Sequence, residues 1–239
     1  GLGDVYKRQT GGSAGNTICA LANLGMTPGF IGKIGTDEYG TFFRERLQQM
    51  QVETRLLECA LPSGIASTFI SPDGERTFGT YLGAASALCA EELMPEMFEG
   101  YAYLYVEGYL LQNHELIERA MQLAKEAGLQ VCLDMASYNI VEAGRDFFDH
   151  LISQYVDVVF ANESEARAYT GKEPREALDE IASKCSIAVV KIGKEGSLIR
   201  KGTQFLQAAP ISVARVVDTT GAGAVSYTHL RAHETPEHL

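Results

Sequence analysis

The sequence predicts an α/β fold: a mainly parallel β-sheet covered by helices, with a small β-ribbon beside it. Two observations carry this. From Ala102 onward, short apolar runs alternate with amphipathic stretches of helical period, and strands joined through helices come out parallel by right-handed crossovers. Ser67–Tyr81 instead holds two β-rich arms around Pro72-Asp73-Gly74, a turn that closes a hairpin.

In chain order, Thr10–Asn16 (TGGSAGN) is a glycine turn leading into a helix-like run, Thr17–Leu24, that stops at Gly25. Phe30–Ile34 is a short strand. Gly35–Gly40 follows, then a helix over Thr41–Met50 with Phe42, Phe43, Leu47 and Met50 on one side. Asp37 sits where a carboxylate would cap that helix. The arms of the Ser67–Tyr81 ribbon alternate with one largely polar face, so the ribbon projects from the body. Beyond it come strands at Tyr103–Val106, Leu129–Leu133, Val156–Phe160 and Ile187–Ile192. They alternate with helices at Leu116–Ala127, Ala143–Tyr155, Glu163–Tyr169 and Arg175–Lys184. The nearly continuous apolar strands are those of a sheet buried on both faces.

At 239 residues and 46% hydrophobic, the chain is long enough for a sizeable core, and one domain with a small appendage is expected. A net charge of −11 argues against nucleic acid or an anionic membrane as partner. Cys19, Cys59, Cys89, Cys132 and Cys185 are dispersed without a CxxC pair, the usage of reduced thiols in a cytoplasmic protein. No apolar run reaches transmembrane length.

Ligands in open α/β sheets bind beyond the carboxyl ends of the strands. The residues there are Glu107-Gly108-Tyr109, Asp134, Asn162–Glu165 and Gly193–Gly196, and Asp218–Gly223 (DTTGAG) follows Val213, Val216 and Val217. Carboxylates near a backbone cradle suit a magnesium-linked nucleotide, because Mg²⁺ is held through few carboxylates, waters and phosphate oxygens. Gly221-Ala222-Gly223 leaves main-chain N–H groups open to an anion, and a helix start would add more donors. An ordinary glycine-rich turn is the competing account.

DTTGAG resembles the DTxGAGD signature of the PfkB family of carbohydrate and nucleoside kinases. Three further blocks follow that family's order: Gly11-Gly12 with Asn16, Asn162-x-x-Glu165, and Lys191 with Gly193-x-x-Gly196. The resemblance implies a ribokinase-like three-layer sandwich with a small β lid. The implied activity is transfer of phosphate from ATP, with Mg²⁺, to a hydroxymethyl group of a sugar or nucleoside. It assigns the amides of Gly221, Ala222 and Gly223 to an anion hole, and Gly11, Gly12 and Asn16 to the acceptor. Asn162, Glu165, Lys191, Gly193 and Gly196 fall on the nucleotide side, with Glu165 on the metal through water. Phe69, Phe78 and Tyr81 either cover the acceptor from the lid or fill the lid's own core. Asn16 as a helix-start residue, Asn162 as a cap and Lys191 as a solvated strand end are the alternatives at those positions. PDGERTFGTYLGA and EGYLL look most like the adenosine-kinase branch. A nucleotide-dependent oxidoreductase or a non-catalytic ligand-binding domain is the competing class, but neither GxGxxG after an early strand nor GxxxxGK[ST] occurs.

The family's final Asp, the base, is Ala224 here. Gly1–Gln9 and the tail from Val225 resemble the translation of a sequencing adapter, which leaves 10–223 as the kinase-like fragment and 1–9 and 224–239 as adapter-like ends. His233–His238 mimics HExxH but is one residue too long and contains Pro236. If the adapter supplies the last two bases of codon 224, the gene supplies a leading G, which Asp codons share. Sequencing the source locus across this point is expected to read Asp; any other residue overturns the junction account.

Overall fold

The computed structural model describes residues 10–70 and 76–210. The DTTGAG segment with Ala224, the strand expected at Val213–Val217 and both adapter-like ends lie outside the described residues, as do the side chains of Phe69 and Phe78. The described residues fall into two compact units, 10–88 and 89–210.

The first unit runs α1 (Ser13–Asn23), β1 (Gly29–Gly35), α2 (Glu38–Gln49), β2 (Glu53–Cys59), β3 (Ile65–Ile70) and β4 (Arg76–Tyr81). β1 and β2 are parallel in unbroken register from Gly29↔Glu53 to Gly35↔Cys59, with α2 as their crossover. Sequence reasoning missed β2 because Glu53, Arg55 and Glu58 break its apolar pattern. Those charges are held at the surface by Arg55–Glu53 and Arg44–Glu58 ion pairs. β3 and β4 form the expected ribbon, antiparallel from Ile65↔Tyr81 to Ile70↔Arg76. Tyr81 is 52% exposed, so it does not fill a core within the ribbon.

One carboxylate ties this unit together. Asp37 caps α2 by accepting from Gly40 N at 2.9 Å, as its position predicted. It also accepts from Ser63 Oγ at 2.6 Å and Ser63 N at 2.8 Å. The Ser63 hydroxyl in turn accepts from Gly35 N at 2.9 Å. The end of β1, the start of α2 and the entry to the ribbon therefore share one hydrogen-bonded node. Gly35 and Gly40 are glycines for close approach: a Cβ on Gly40 would run into the Gly35 carbonyl.

The second unit is a six-stranded sheet in the order β10-β9-β8-β7-β6-β5. Its elements are β5 (Tyr103–Glu107), α3 (His114–Glu126), β6 (Gln130–Asp134), α4 (Tyr138–Gln154), β7 (Val158–Asn162), α5 (Glu163–Thr170), α6 (Pro174–Ala182), β8 (Ile187–Lys191), β9 (Ser197–Lys201) and β10 (Gln204–Ala208). β5 to β8 are parallel. Val131, Leu133, Val159, Ala161, Ala188 and Val190 on β6 to β8 are inaccessible to solvent, which is why those strands read as apolar runs. α3 packs on β5 and β6, α5 on β7 and β8, and α6 on β8 and β9. Sequence reasoning missed β9 and β10, which extend the sheet antiparallel. The five-residue connection after β8 is too short for a parallel crossover, so the next strand must return antiparallel.

The three donors hold the Asp37 carboxyl below its ordinary value of 3.8. Its contribution to stability is therefore complete above that value and is lost as pH falls through the depressed folded value. Asp37→Asn turns one acceptor into a donor facing Ser63 N. It is expected to lower the melting temperature at neutral pH, and the gap to the parent should close in acid; a pH-independent gap would contradict this role.

Candidate functional site

The parallel run of β5 to β8 brings their last residues, Glu107, Asp134, Asn162 and Lys191, to one edge of the sheet. Glu107 is paired in register with Asp134, and Asn162 with Lys191. Glu107 and Asp134 are only 7% and 8% exposed. Carboxylates this buried need partners. The Asp134 Oδ2 accepts from Lys191 Nζ at 3.1 Å and its Oδ1 from Ala136 N at 2.9 Å. Glu107 accepts from the Tyr105 hydroxyl at 3.3 Å. Lys191 is thus an ion-paired, mostly buried group, not a solvated strand end. Asp134 was marked in the sequence only by its place at a strand end, and the family resemblance assigned it no role.

Beyond Asp134, Ala136 adopts a left-handed φ of 65°, a conformation that costs a non-glycine residue about 1–2 kcal/mol. The bond from its amide to Asp134 and one from the Tyr109 hydroxyl to its carbonyl, at 3.4 Å, hold the turn in place. Gly108 lets the two turns meet: a Cβ there would lie 2.6 Å from the Met135 carbonyl oxygen. Burial, with the charges of Glu107, Glu165 and Asp134, pushes the Tyr109 phenol up, so the three carboxylates share one electrostatic neighbourhood.

Asn162 and Glu165 form a reciprocal capping box at the start of α5. Asn162 Oδ1 accepts from Glu165 N at 2.9 Å, while Glu165 accepts from Asn162 N and Nδ2, both at 2.7 Å. The capping account of Asn162 therefore holds. Glu165 is only 3% exposed. Burial pushes its carboxyl up, against the Asn162 amide, and the charge of Asp134 adds to the rise while Lys191 opposes it.

The turn from Gly193 to Gly196 closes on itself: Ile192 N donates to Gly196 O, Glu195 N to Ile192 O and Gly196 N to Gly193 O. Its two glycines differ. Gly196, at φ 95°, could carry no Cβ without striking the Ala208 carbonyl of β10. Gly193, at φ 56°, would place a Cβ in near-open space, 3.9 Å from a Glu163 oxygen.

In the first unit α1 begins at Ser13, with Gly12 as its N-cap at φ 90° and no side-chain cap. The helix therefore starts four residues before the expected Thr17. Asn16 lies inside it, its amide donating to Gly12 O at 3.0 Å, so the account of Asn16 as a helix-start residue fails. Gly11 and Gly12 are exposed, and a Cβ on either would meet nothing within 4 Å.

The second unit's residues suit a magnesium nucleotide. Among the described residues no three His, Cys, Asp or Glu side chains are placed to hold a metal ion. A hard cation shared between few carboxylates, waters and phosphates asks for no such cage. The strand edge offers carboxylate oxygens at Asp134 and Glu165 and an ammonium at Lys191, a point charge suited to phosphate. Both Glu165 oxygens already accept from Asn162, which suits contact with a metal through water.

The family model "pfkB family carbohydrate kinase" matches residues 3–223. The chain is 27% identical over 241 residues to 2-dehydro-3-deoxygluconokinase of Bacillus subtilis, covering 93% of this chain and 74% of that one. It is 29% identical to aminoimidazole riboside kinase of Salmonella typhimurium over 234 residues, 91% of this chain and 71% of that one. The crystal structure of adenosine kinase from Sinorhizobium meliloti superposes with a TM-score of 0.85 at 30% identity, covering 96% of this chain and 74% of that one. No helix among the described residues is long and apolar enough to cross a membrane. The fold is ribokinase-like, and the chain belongs to the pfkB family of carbohydrate kinases, phosphotransferases that act on sugars or nucleosides.

Proposed function

We propose that this protein is built to transfer the γ-phosphoryl group of ATP to the hydroxymethyl group of a small acceptor, an adenosine-like nucleoside or, as the near alternative, a sugar. The observation that carries the reading is the carboxyl edge of β6 to β8, where Asp134, Lys191, Asn162 and Glu165 gather in one hydrogen-bonded and electrostatic group. In this reading Lys191 faces the nucleotide phosphates and the Gly193 backbone lies open beside them. Asn162 and Glu165 orient the water around Mg²⁺, whose charge, when it is bound, neutralises the phosphates. Gly11, Gly12 and Asn16 hold the acceptor hydroxyls; the open space at both glycines supports a ligand there. The amides of Gly221, Ala222 and Gly223 receive the charge of the transferring phosphoryl group.

The acceptor oxygen bonds to the γ-phosphorus as the bond to the ADP oxygen breaks, and the hydroxyl proton passes to a base. The base position carries Ala224, which cannot take it. Loss of a general base typically costs roughly 10²–10⁴-fold in rate. The chain as it stands is therefore a poor catalyst, and a ligand-binding role without turnover is the second reading that Ala224 favours. The described cysteines are all free thiols, which supports a cytoplasmic setting. The adenosine lean rests on PDGERTFGTYLGA and EGYLL and is supported by the likeness to the Sinorhizobium meliloti adenosine kinase.

The test is ATP consumption with magnesium over adenosine and a panel of sugars. The unchanged chain is expected to show little or no turnover. Robust turnover by the unchanged chain would show that the base is another residue.

The two turn glycines separate packing from binding. Gly196→Ala is expected to lower the melting temperature by more than the left-handed backbone alone, about 1–2 kcal/mol, would cause. Gly193→Ala should stay folded but bind ATP more weakly in titration calorimetry. Unchanged binding in folded Gly193→Ala would remove this turn from the nucleotide site.

A further inference from the structure

We infer that Asp134 is a positioning residue for the nucleotide, acting through Lys191; the inference rests on the reading that Lys191 faces the phosphates. β7 lies between β6 and β8, so the Lys191 side chain crosses the end of β7 to reach a carboxylate two strands away. A lysine at the last position of a strand, with nothing to hold it, extends into water and samples many rotamers. This one is 15% exposed against an aspartate side chain 12% exposed.

The carboxylate is itself fixed. One oxygen takes Lys191 Nζ, and the other takes the amide of Ala136, whose carbonyl is held by Tyr109. Asp134 therefore cannot follow the ammonium if it swings; the ammonium is held where Asp134 puts it. That place is beside Asn162, its register partner on β7 and the first member of the capping box. Exchange of a buried ion pair for apolar residues is often neutral for stability. What the pair contributes is a cation in a defined position, with the ordering entropy of a long side chain already spent before the nucleotide arrives.

Positioning and simple charge make opposite predictions. Asp134→Asn leaves an oxygen for Ala136 N and makes the site one charge more positive. If net charge governed binding, ATP would bind more tightly. If Asp134 works by placing Lys191, ATP with magnesium should bind about tenfold more weakly, the scale of one charge-assisted hydrogen bond. Titration calorimetry of ATP with magnesium into the full chain, Asp134→Asn, Lys191→Met and the double variant decides. The expected result is weaker binding in each single variant and no further loss in the double. ¹⁵N-lysine spectra of the ligand-free chain should show a hydrogen-bonded Lys191 ammonium signal that Asp134→Asn abolishes. Equal or tighter binding in Asp134→Asn, or a full additional loss in the double variant, overturns the positioning role while leaving Lys191 at the phosphates. Unchanged binding in Lys191→Met, or no ATP binding by the unchanged chain, overturns both. Should Asp134→Asn not fold, Asp134→Glu keeps the charge but moves it by one methylene. Binding as tight as the parent's in that variant overturns the role, and weaker binding supports it.

Discussion

Four parallel strands that stop together impose the arrangement of the buried polar residues at one edge of the second unit's sheet. The middles of β6 to β8 are apolar because helices and neighbouring strands leave no water beside them. A polar side chain can be tolerated only where the strand runs out. Because the strands are parallel, they run out at the same edge, and Glu107, Asp134, Asn162 and Lys191 become neighbours although up to 84 residues separate them in the chain. An antiparallel sheet would have divided the same residues between two edges.

That edge then has an electrostatic problem, and its solution shapes the site. Glu107, Asp134 and Glu165 are buried carboxylates, and buried charge is tolerated only when paired and hydrogen-bonded. Lys191 answers Asp134 directly, the Asn162 amides answer Glu165, and the Tyr105 hydroxyl answers Glu107. The left-handed Ala136 is part of the same solution, since its unusual turn aims an amide at Asp134. Strain held in place by a surrounding network is a feature of functional sites, and here the network and the strain meet at one aspartate.

The parts of this fold that were legible in the sequence are those where burial dictates composition. β5 to β8 and α3 to α6 could be read because apolar runs and helical periods follow from packing on both sides. β2 could not, because its charges belong to surface ion pairs and hide a strand whose pairing is nonetheless complete. β9 and β10 were lost behind a glycine turn read for its ligand and not for its length. Asn162 and Glu165 could be seen as a pair because a capping box is a local pattern, three residues apart. Asp134 and Lys191 are 57 residues apart, and nothing local relates them; only strand order does.

Glycine shows the same limit in its sharpest form. Within one short motif, Gly196 is glycine because the hairpin needs it: its φ is positive and the β10 backbone occupies the space of a Cβ. Gly193 shares the positive φ but has room for a side chain. Gly11 lies in open space, and neither a positive φ nor a close neighbour demands glycine there. Gly12 and Gly193 are held to glycine by the backbone angle alone, Gly196 by the angle and by its neighbour together. The sequence writes one letter for all of these cases, and only the backbone angle and the neighbouring atoms single out Gly196 as the frame that holds the turn in shape.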